Sequence, residues 1–193
     1  MTRSAPTGFR SRLRHFARNN DAVSAVEFAI VLPFVLLMYI GSVELADGLA
    51  IQFKVTQAAR TVTDLTTQYV SLDSGTVTTI LAASSSIVAP YPATNMTVTV
   101  SEVTTDSGGH GTVTWSCSLR GTPRTANQSF TLPAALQTAN VSLILGEVTY
   151  PYAPQLGFVI TGTVNMREST YFYPRLSNQV AGPTSASAPV SCN

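Results

Sequence analysis

Charge is scarce in this chain. Asp, Glu, Lys and Arg make up 11 % of its 193 residues, against about 25 % in a typical soluble domain. A plain cytosolic enzyme draws its solubility from more surface charge than that. The formal net charge is +1, so no global field attracts nucleic acid. Histidine occurs twice, as His15 and His110. His110 sits in Gly108-Gly109-His110-Gly111 without partners for a metal, and no cysteine pair has zinc spacing. The single lysine, Lys54, belongs to no Gly-x-x-x-x-Gly-Lys phosphate loop. Serines are many, but no His-Asp set accompanies them to activate a nucleophile. These absences argue against an enzyme and predict no cofactor and no small-molecule substrate. What the chain has instead is apolar surface: 45 % hydrophobic residues and a mean hydropathy of +0.21, which rules out a disordered polymer. The length suits one domain with an appendage.

The few charges are unevenly placed. Residues 1–22 carry Arg3, Arg10, Arg12, Arg14 and Arg18 against Asp21, a net of +4, while the remainder carries −3. A basic head before an apolar run predicts membrane insertion with the head left in the cytoplasm. The run Phe28 to Val43, FAIVLPFVLLMYIGSV, holds sixteen uncharged residues. As a helix that is about 24 Å, short of the roughly 30 Å hydrocarbon core; counted from Ala22 it reaches about 33 Å. The longer span puts Glu27 at membrane depth, where a lone carboxylate costs roughly 2–3 kcal/mol or more and points to a function. The alternative is a Glu27 that snorkels at the headgroup level. A cleaved secretory signal also fits the basic-then-apolar order, with Gly48-Leu49-Ala50 as a passable cut site, but Glu44 and Asp47 fall where such a signal should be neutral. A plain signal anchor is the third possibility.

The stretch Ala22-Val23-Ser24-Ala25-Val26-Glu27-Phe28-Ala29-Ile30-Val31-Leu32-Pro33 resembles the N-terminus of TadE-like proteins, the minor pilins or pseudopilins of the tight-adherence (Flp, type IVb) pilus system. Ile40-Gly41 followed by Val43-Glu44-Leu45 is similar to the family's Gly-x-x-Glu-Leu. A looser likeness extends to Tyr150-Pro151-Tyr152-Ala153-Pro154 and Pro174-Arg175. The resemblance implies cleavage by a prepilin peptidase on the cytoplasmic side, after a small residue and with Glu fifth in the mature chain. Carried onto this sequence, the cut follows Ala22, Val23 becomes the first residue, and Glu27 and Phe28 complete the site. Ala22 departs from the family's usual Gly, which puts the rate of cleavage in question. A freed Val23 amine would lie near Glu27, and the opposite charge would offset the carboxylate's burial.

Pro33 would break a soluble helix at about 3 kcal/mol; in a membrane helix it is tolerated as a kink. Beyond the bilayer, Val55, Ala58, Val62, Leu65, Tyr69 and Leu72 recur at steps of three and four, with Lys54, Gln57, Arg60, Asp64 and Gln68 between them. That pattern predicts an amphipathic helix continuing to Leu72, either unbroken or as a second helix joined near Gly48. The stripe would pack on a sheet or on neighbouring helices.

From Thr56 onward forty of 138 residues are Ser or Thr and eleven are charged, a surface suited to a secreted or periplasmic domain. Asp73 to Val88 predicts a short helix stopped by Pro90 and Pro92. Val98 and Val100, then Val113, Trp115, Cys117 and Leu119, alternate with hydroxyl residues and predict strands with one apolar and one hydroxyl face. Asp106-Ser107-Gly108-Gly109 between them reads as a hairpin loop. Further strands are predicted at 141–152, with a bend at Gly146, at 158–165 and at 168–173, and a helical turn after Pro133. A long helix with four or five antiparallel strands makes an α+β, pilin-like domain. Cys117 and Cys192 lie on the side predicted to be extracytoplasmic, where a bridge persists; the other reading is a buried Cys117 thiol and a frayed Cys192.

The expected organisation is therefore a leader at 1–22, a transmembrane helix at 23–46, an amphipathic extension at 47–72 and an α+β domain at 73–193. The expected protein is a single-pass inner-membrane minor pilin with a cytoplasmic N-terminus and a periplasmic C-terminal domain. Its implied partners are membrane lipid, a prepilin peptidase, other pilins and pilus assembly proteins. The alternative is an unprocessed, membrane-anchored periplasmic scaffold or binding module of a secretion apparatus.

Overall fold

The computed structural model describes residues 20–154, 162–183, 186 and 188–193. Residues 1–19 of the basic leader, His15 among them, and residues 158–161 of the predicted strand at 158–165 lie outside the described residues. The chain divides after Ala46 into two compact units. Helix α1 (Asn20–Thr67) supplies the described part of the first and the opening of the second, and it runs on through Pro33. At 48 residues it measures about 72 Å.

Among the described residues of the first unit nearly all the large apolar side chains are exposed. Phe28, Phe34, Leu37 and Met38 are 65 %, 65 %, 69 % and 77 % exposed. Each such side chain left in water forfeits roughly 1.5–3 kcal/mol of burial, so a bilayer is the solvent that suits this stretch. The helix is long and apolar enough to cross a membrane.

The second unit is α+β, as the composition and periodicity imply. Its six strands are β1 (Thr97–Thr105), β2 (Gly111–Leu119), β3 (Ser129–Phe130), β4 (Ser142–Tyr152), β5 (Val164–Phe172) and β6 (Val190–Cys192). They form one sheet in the order β3-β2-β1-β4-β5, with β6 also paired to β2 and every pair antiparallel. Helix α2 (Ser74–Ser86) opens where Asp73 accepts from the Thr76 N–H at 2.7 Å. Past its other end the Lys54 ammonium donates to the carbonyls of the C-cap residue Ile87, at 3.4 Å, and of Ala89, at 2.5 Å.

Each face of the sheet carries its own core. On one, Ile51, Val55, Ala58, Ala59 and Val62 of α1 pack with Val98, Val100, Trp115, Cys117, Ile144, Val148 and Tyr150. The amphipathic stripe therefore packs on the sheet. Gly146 marks the closest approach: a Cβ there would meet the Ala59 carbonyl oxygen and Val62 Cγ1 at 2.9 Å each, and Thr63 Oγ1 closer still. On the other face, Val103, Val113, Leu143 and Leu145 are covered by Leu132, Phe130 and Leu136 from the β2–β4 connection.

Several expectations from the sequence are corrected. α1 ends at Thr67, short of Leu72; Tyr69 is 41 % exposed, and Leu72 is buried only after the chain has left the helix. β4 runs straight through Gly146 without a break; the glycine is needed for helix approach rather than for a bend. The alternating set on β2 does not share one face. The register shifts between Glu102 and Val103, which pair with Trp115 and Val113, so Thr114 is the extra residue of a bulge. Val113 is thereby turned to the second core while Trp115, Cys117 and Leu119 face α1. Nor is the hydroxyl face wet: Ser101, Ser116 and Ser118 are fully buried. They survive burial by pairing across strands, Ser101 with Ser116 and Thr99 with Ser118, each at 2.8 Å.

Candidate functional site

The residues singled out for processing lie at the start of α1. The backbone of residue 22 is already helical, and Val23, Glu27 and Phe28 follow in the same helix. Val23 and Glu27 are four residues apart, so their side chains rise from one face a single turn apart. Both are exposed, as is Phe28. Helical propensity in Ala22-Val23-Ser24-Ala25-Val26 is modest, and the apolar run behind it carries the helix.

At the far end of α1 the chain's C-terminal part, from Pro174 to Gly182, is strapped to the second unit. The Arg175 N–H donates to the Thr67 carbonyl at 3.0 Å, the Ala181 N–H to Val70 at 3.0 Å, and the Leu72 N–H back to Ala181 at 2.8 Å. The Arg175 guanidinium also pairs with Asp64 of α1. Beneath this strap lies Glu102 of β1, 1 % exposed. Its Oε1 accepts from the Ser142 hydroxyl at 2.7 Å and from the Val180 N–H at 2.8 Å. Burial pushes the Glu102 carboxyl above the usual carboxylate range, and these hydrogen bonds oppose the shift. Trp115 Nε1–H donates to the Val180 carbonyl at 2.7 Å, and its ring abuts Gly182 so closely that a Cβ there would overlap it. The chain end is held by the Cys117–Cys192 disulfide, with β6 paired to β2 beside it.

Apolar α1, its start at residue 20 and the stripe that docks it on the sheet are the features a family comparison can test. Residues 22–64 match the TadE-like protein family. The resemblance drawn from the N-terminal motif is borne out. No curated protein matches the chain, and no solved structure does. The TadE-like segment begins at Ala22 and takes in both the apolar run and the sheet-packing stripe of Ile51, Val55, Ala58, Ala59 and Val62. It closes at Asp64, the partner of Arg175. The sheet and the strap lie outside it.

Around the TadE-like segment, among the described residues, no group of three or more His, Cys, Asp or Glu gathers to hold a metal. His110 pairs with Asp106 in the hairpin loop at 3.2 Å. The His110 backbone N–H, donating to Asp106 Oδ1 at 2.9 Å, holds the Asp106 carboxyl below its ordinary range. A hollow beside the strap is lined by Glu102, Thr114, Trp115, Val180 and Asn193.

Sequence reasoning missed Glu102, the strap and a second ion pair. Glu102 occupies an inward position, in step with Val98 and Val100, and an acid in that register is the signal that marks a buried carboxylate. Arg124 makes a two-pronged pair with Glu147, at 2.8 Å and 2.6 Å, and its guanidinium stacks 4.7 Å over the Phe130 ring. Nothing local in the sequence joins residues 124 and 147.

Proposed function

We propose that this protein is a non-enzymatic minor pilin, or pseudopilin, that supports assembly of a tight-adherence pilus. The observation that carries the reading is the coincidence of the family match with one helix: residues 22–64 match TadE-like protein, and the same residues form an exposed apolar stretch followed by a stripe that fastens a folded domain. The helix anchors the protein in the inner membrane, with the basic head in the cytoplasm and the α+β domain in the periplasm. A prepilin peptidase cuts after Ala22. The new Val23 amine then meets Glu27, one turn along the helix, in the same subunit or a neighbour. Other pilins, pilus assembly proteins and membrane lipid are its partners; nucleic acid and small-molecule substrates are not.

One observation favours a second reading. Ala22 stands where the family usually has Gly, and an uncut chain would serve as a membrane-anchored periplasmic scaffold of the same apparatus. N-terminal sequencing of protein taken from native membranes decides between them. A start at Val23 supports the processed pilin and an intact Met1 the scaffold. A start at Ile51 overturns both, since the anchor would be lost.

A further inference from the structure

A second hollow borders the strap, and Gln179 lines both. It opens at the end of the sheet where β1 finishes and β4 begins, Thr104 opposite Ser142. β5 leaves the sheet at the same end, Phe172 opposite Ile144, so Tyr173 and Pro174 are the next residues there. The volume is about 510 Å³, within the roughly 300–1,000 Å³ of small-molecule clefts.

The frame of this hollow is fixed by hydrogen bonds. The Thr105 N–H donates to the Val141 carbonyl at 2.8 Å, and the Thr105 hydroxyl accepts from the Val141 N–H at 2.9 Å. The Asn140 N–H donates to the Asp106 carbonyl at 3.1 Å, and Asn140 takes a φ of 55°, the left-handed conformation that asparagine tolerates. On the strap the Ser177 hydroxyl donates to the Gln179 carbonyl.

Among the described residues, those that line the hollow include no Asp, Glu, Lys, Arg or His. The charged residues adjoining these segments are engaged elsewhere: Glu102 lies under Ser142 and Val180, Asp106 faces His110, and Arg175 faces Asp64. What the lining offers is three carboxamides, Asn140, Asn178 and Gln179, and one ring, Tyr173, which is 51 % exposed. The carboxamides are exposed, and among the described residues none of them is bonded to protein. A carboxamide sets donors beside an acceptor, and a sugar hydroxyl both donates and accepts. A tyrosine ring packs on the C–H face of a pyranose while its hydroxyl stays wet. An anion or a metal cation meets no opposite charge in this lining.

We propose that this hollow is a binding site for a neutral saccharide. Tyr173 stacks on the sugar ring, and Asn140, Asn178 and Gln179 bond to its hydroxyls. The sugar is held as a ligand and is not converted. The site goes beyond the pilin reading and does not depend on it.

The test is saturation-transfer difference NMR on the full-length protein in a zwitterionic detergent that carries no sugar. The probes are maltose, cellobiose, lactose and di-N-acetylchitobiose, with glucose and N-acetylglucosamine as single rings and glucuronic acid and glucosamine as charged relatives. We expect at least one neutral disaccharide to bind with a roughly millimolar or tighter Kd, and both charged sugars to bind more weakly. Tyr173→Ala should weaken binding about threefold to tenfold, while Tyr173→Phe keeps the ring and most of the affinity. Asn140→Gly removes one carboxamide, keeps the left-handed backbone and should cost about the same factor. Tyr69→Ala, at a side chain 41 % exposed and outside the lining, should change nothing. Circular dichroism melts check that each variant is folded. If none of the disaccharides binds, or if Tyr173→Ala and Asn140→Gly bind like the wild type, the proposal is overturned. Tighter binding of either charged sugar than of every neutral one overturns it as well. Equal binding of a single ring and its disaccharide makes a free sugar the source, and binding of the disaccharide alone makes it a polysaccharide; both support the site.

Discussion

Removing the Glu102 side chain should loosen the C-terminal strap while leaving the strand register alone. One oxygen of Glu102 serves two buried donors, the Ser142 hydroxyl at 2.7 Å and the Val180 N–H at 2.8 Å. Glu102→Ala deletes that shared acceptor and strands both. An unsatisfied buried donor costs about 1–3 kcal/mol, so the pair costs about 2–6 kcal/mol, less whatever is recovered by no longer burying a carboxylate. In a chain of this size about 1 kcal/mol moves Tm by about 2–4 °C, so a fall of about 4 °C or more is expected. Glu102→Gln keeps an amide oxygen in the same place and removes the charge. The folded-state pKa of Glu102 is raised by burial. The stability this group contributes is then fully present below its unfolded pKa, about 4.3, and is lost as pH rises through the higher folded value. The wild type should lose stability across that acid window, and Glu102→Gln should lose less. Thermal melts of full-length protein in detergent, followed by circular dichroism across acid and neutral pH, measure both effects. A Glu102→Ala protein that melts with the wild type, or a Glu102→Gln protein that falls as far as Glu102→Ala at every pH, would refute the shared-acceptor argument.

Three other changes probe different parts of the molecule. Gly146→Ala pushes a methyl group into the Ala59 carbonyl and the Thr63 hydroxyl of α1 and should cost about 1–3 kcal/mol in urea denaturation; an unchanged midpoint would show that the helix can lift off freely. Replacing both Cys117 and Cys192 by Ser opens a bridge spanning 75 residues and should remove roughly 4 kcal/mol; in the native protein, thiol labelling under denaturing conditions should find almost no free cysteine. Glu27→Gln leaves the apolar run intact, so membrane abundance should stay normal. If Glu27 answers the Val23 amine, the same change breaks a pair worth about 3–5 kcal/mol when fully buried and less near the headgroups. Pili should then fall in number, and normal piliation would leave Glu27 without that role.

What the sequence determined by itself is the part whose physics is local. An uncharged run of sixteen residues behind five arginines can only be a buried or membrane helix, because hydropathy and charge act residue by residue along one axis. The period-four stripe through Val55, Ala58 and Val62 named the face that meets the sheet, and the period-two runs named β1 and β2, because each element's geometry repeats in its own sequence. The motif from Ala22 to Pro33 was legible for the same reason: its residues are consecutive. The tertiary structure decided whatever depends on which segments meet. The Thr114 bulge turns Val113 away from Trp115, and alternation alone cannot show a residue that drops out of register. Ser101, Ser116 and Ser118 of the hydroxyl face are buried, and the connection after β2 comes down on them with the Arg124 N–H on Ser116 Oγ. Gly146 reads as a strand breaker until α1 is seen crossing it. The register of Glu102 marks it as inward-facing, but its partner is found only when Val180, seventy-eight residues on, brings its N–H to the carboxylate. Each of these is a contact between residues far apart in the chain, and such contacts exist only once the chain has closed on itself.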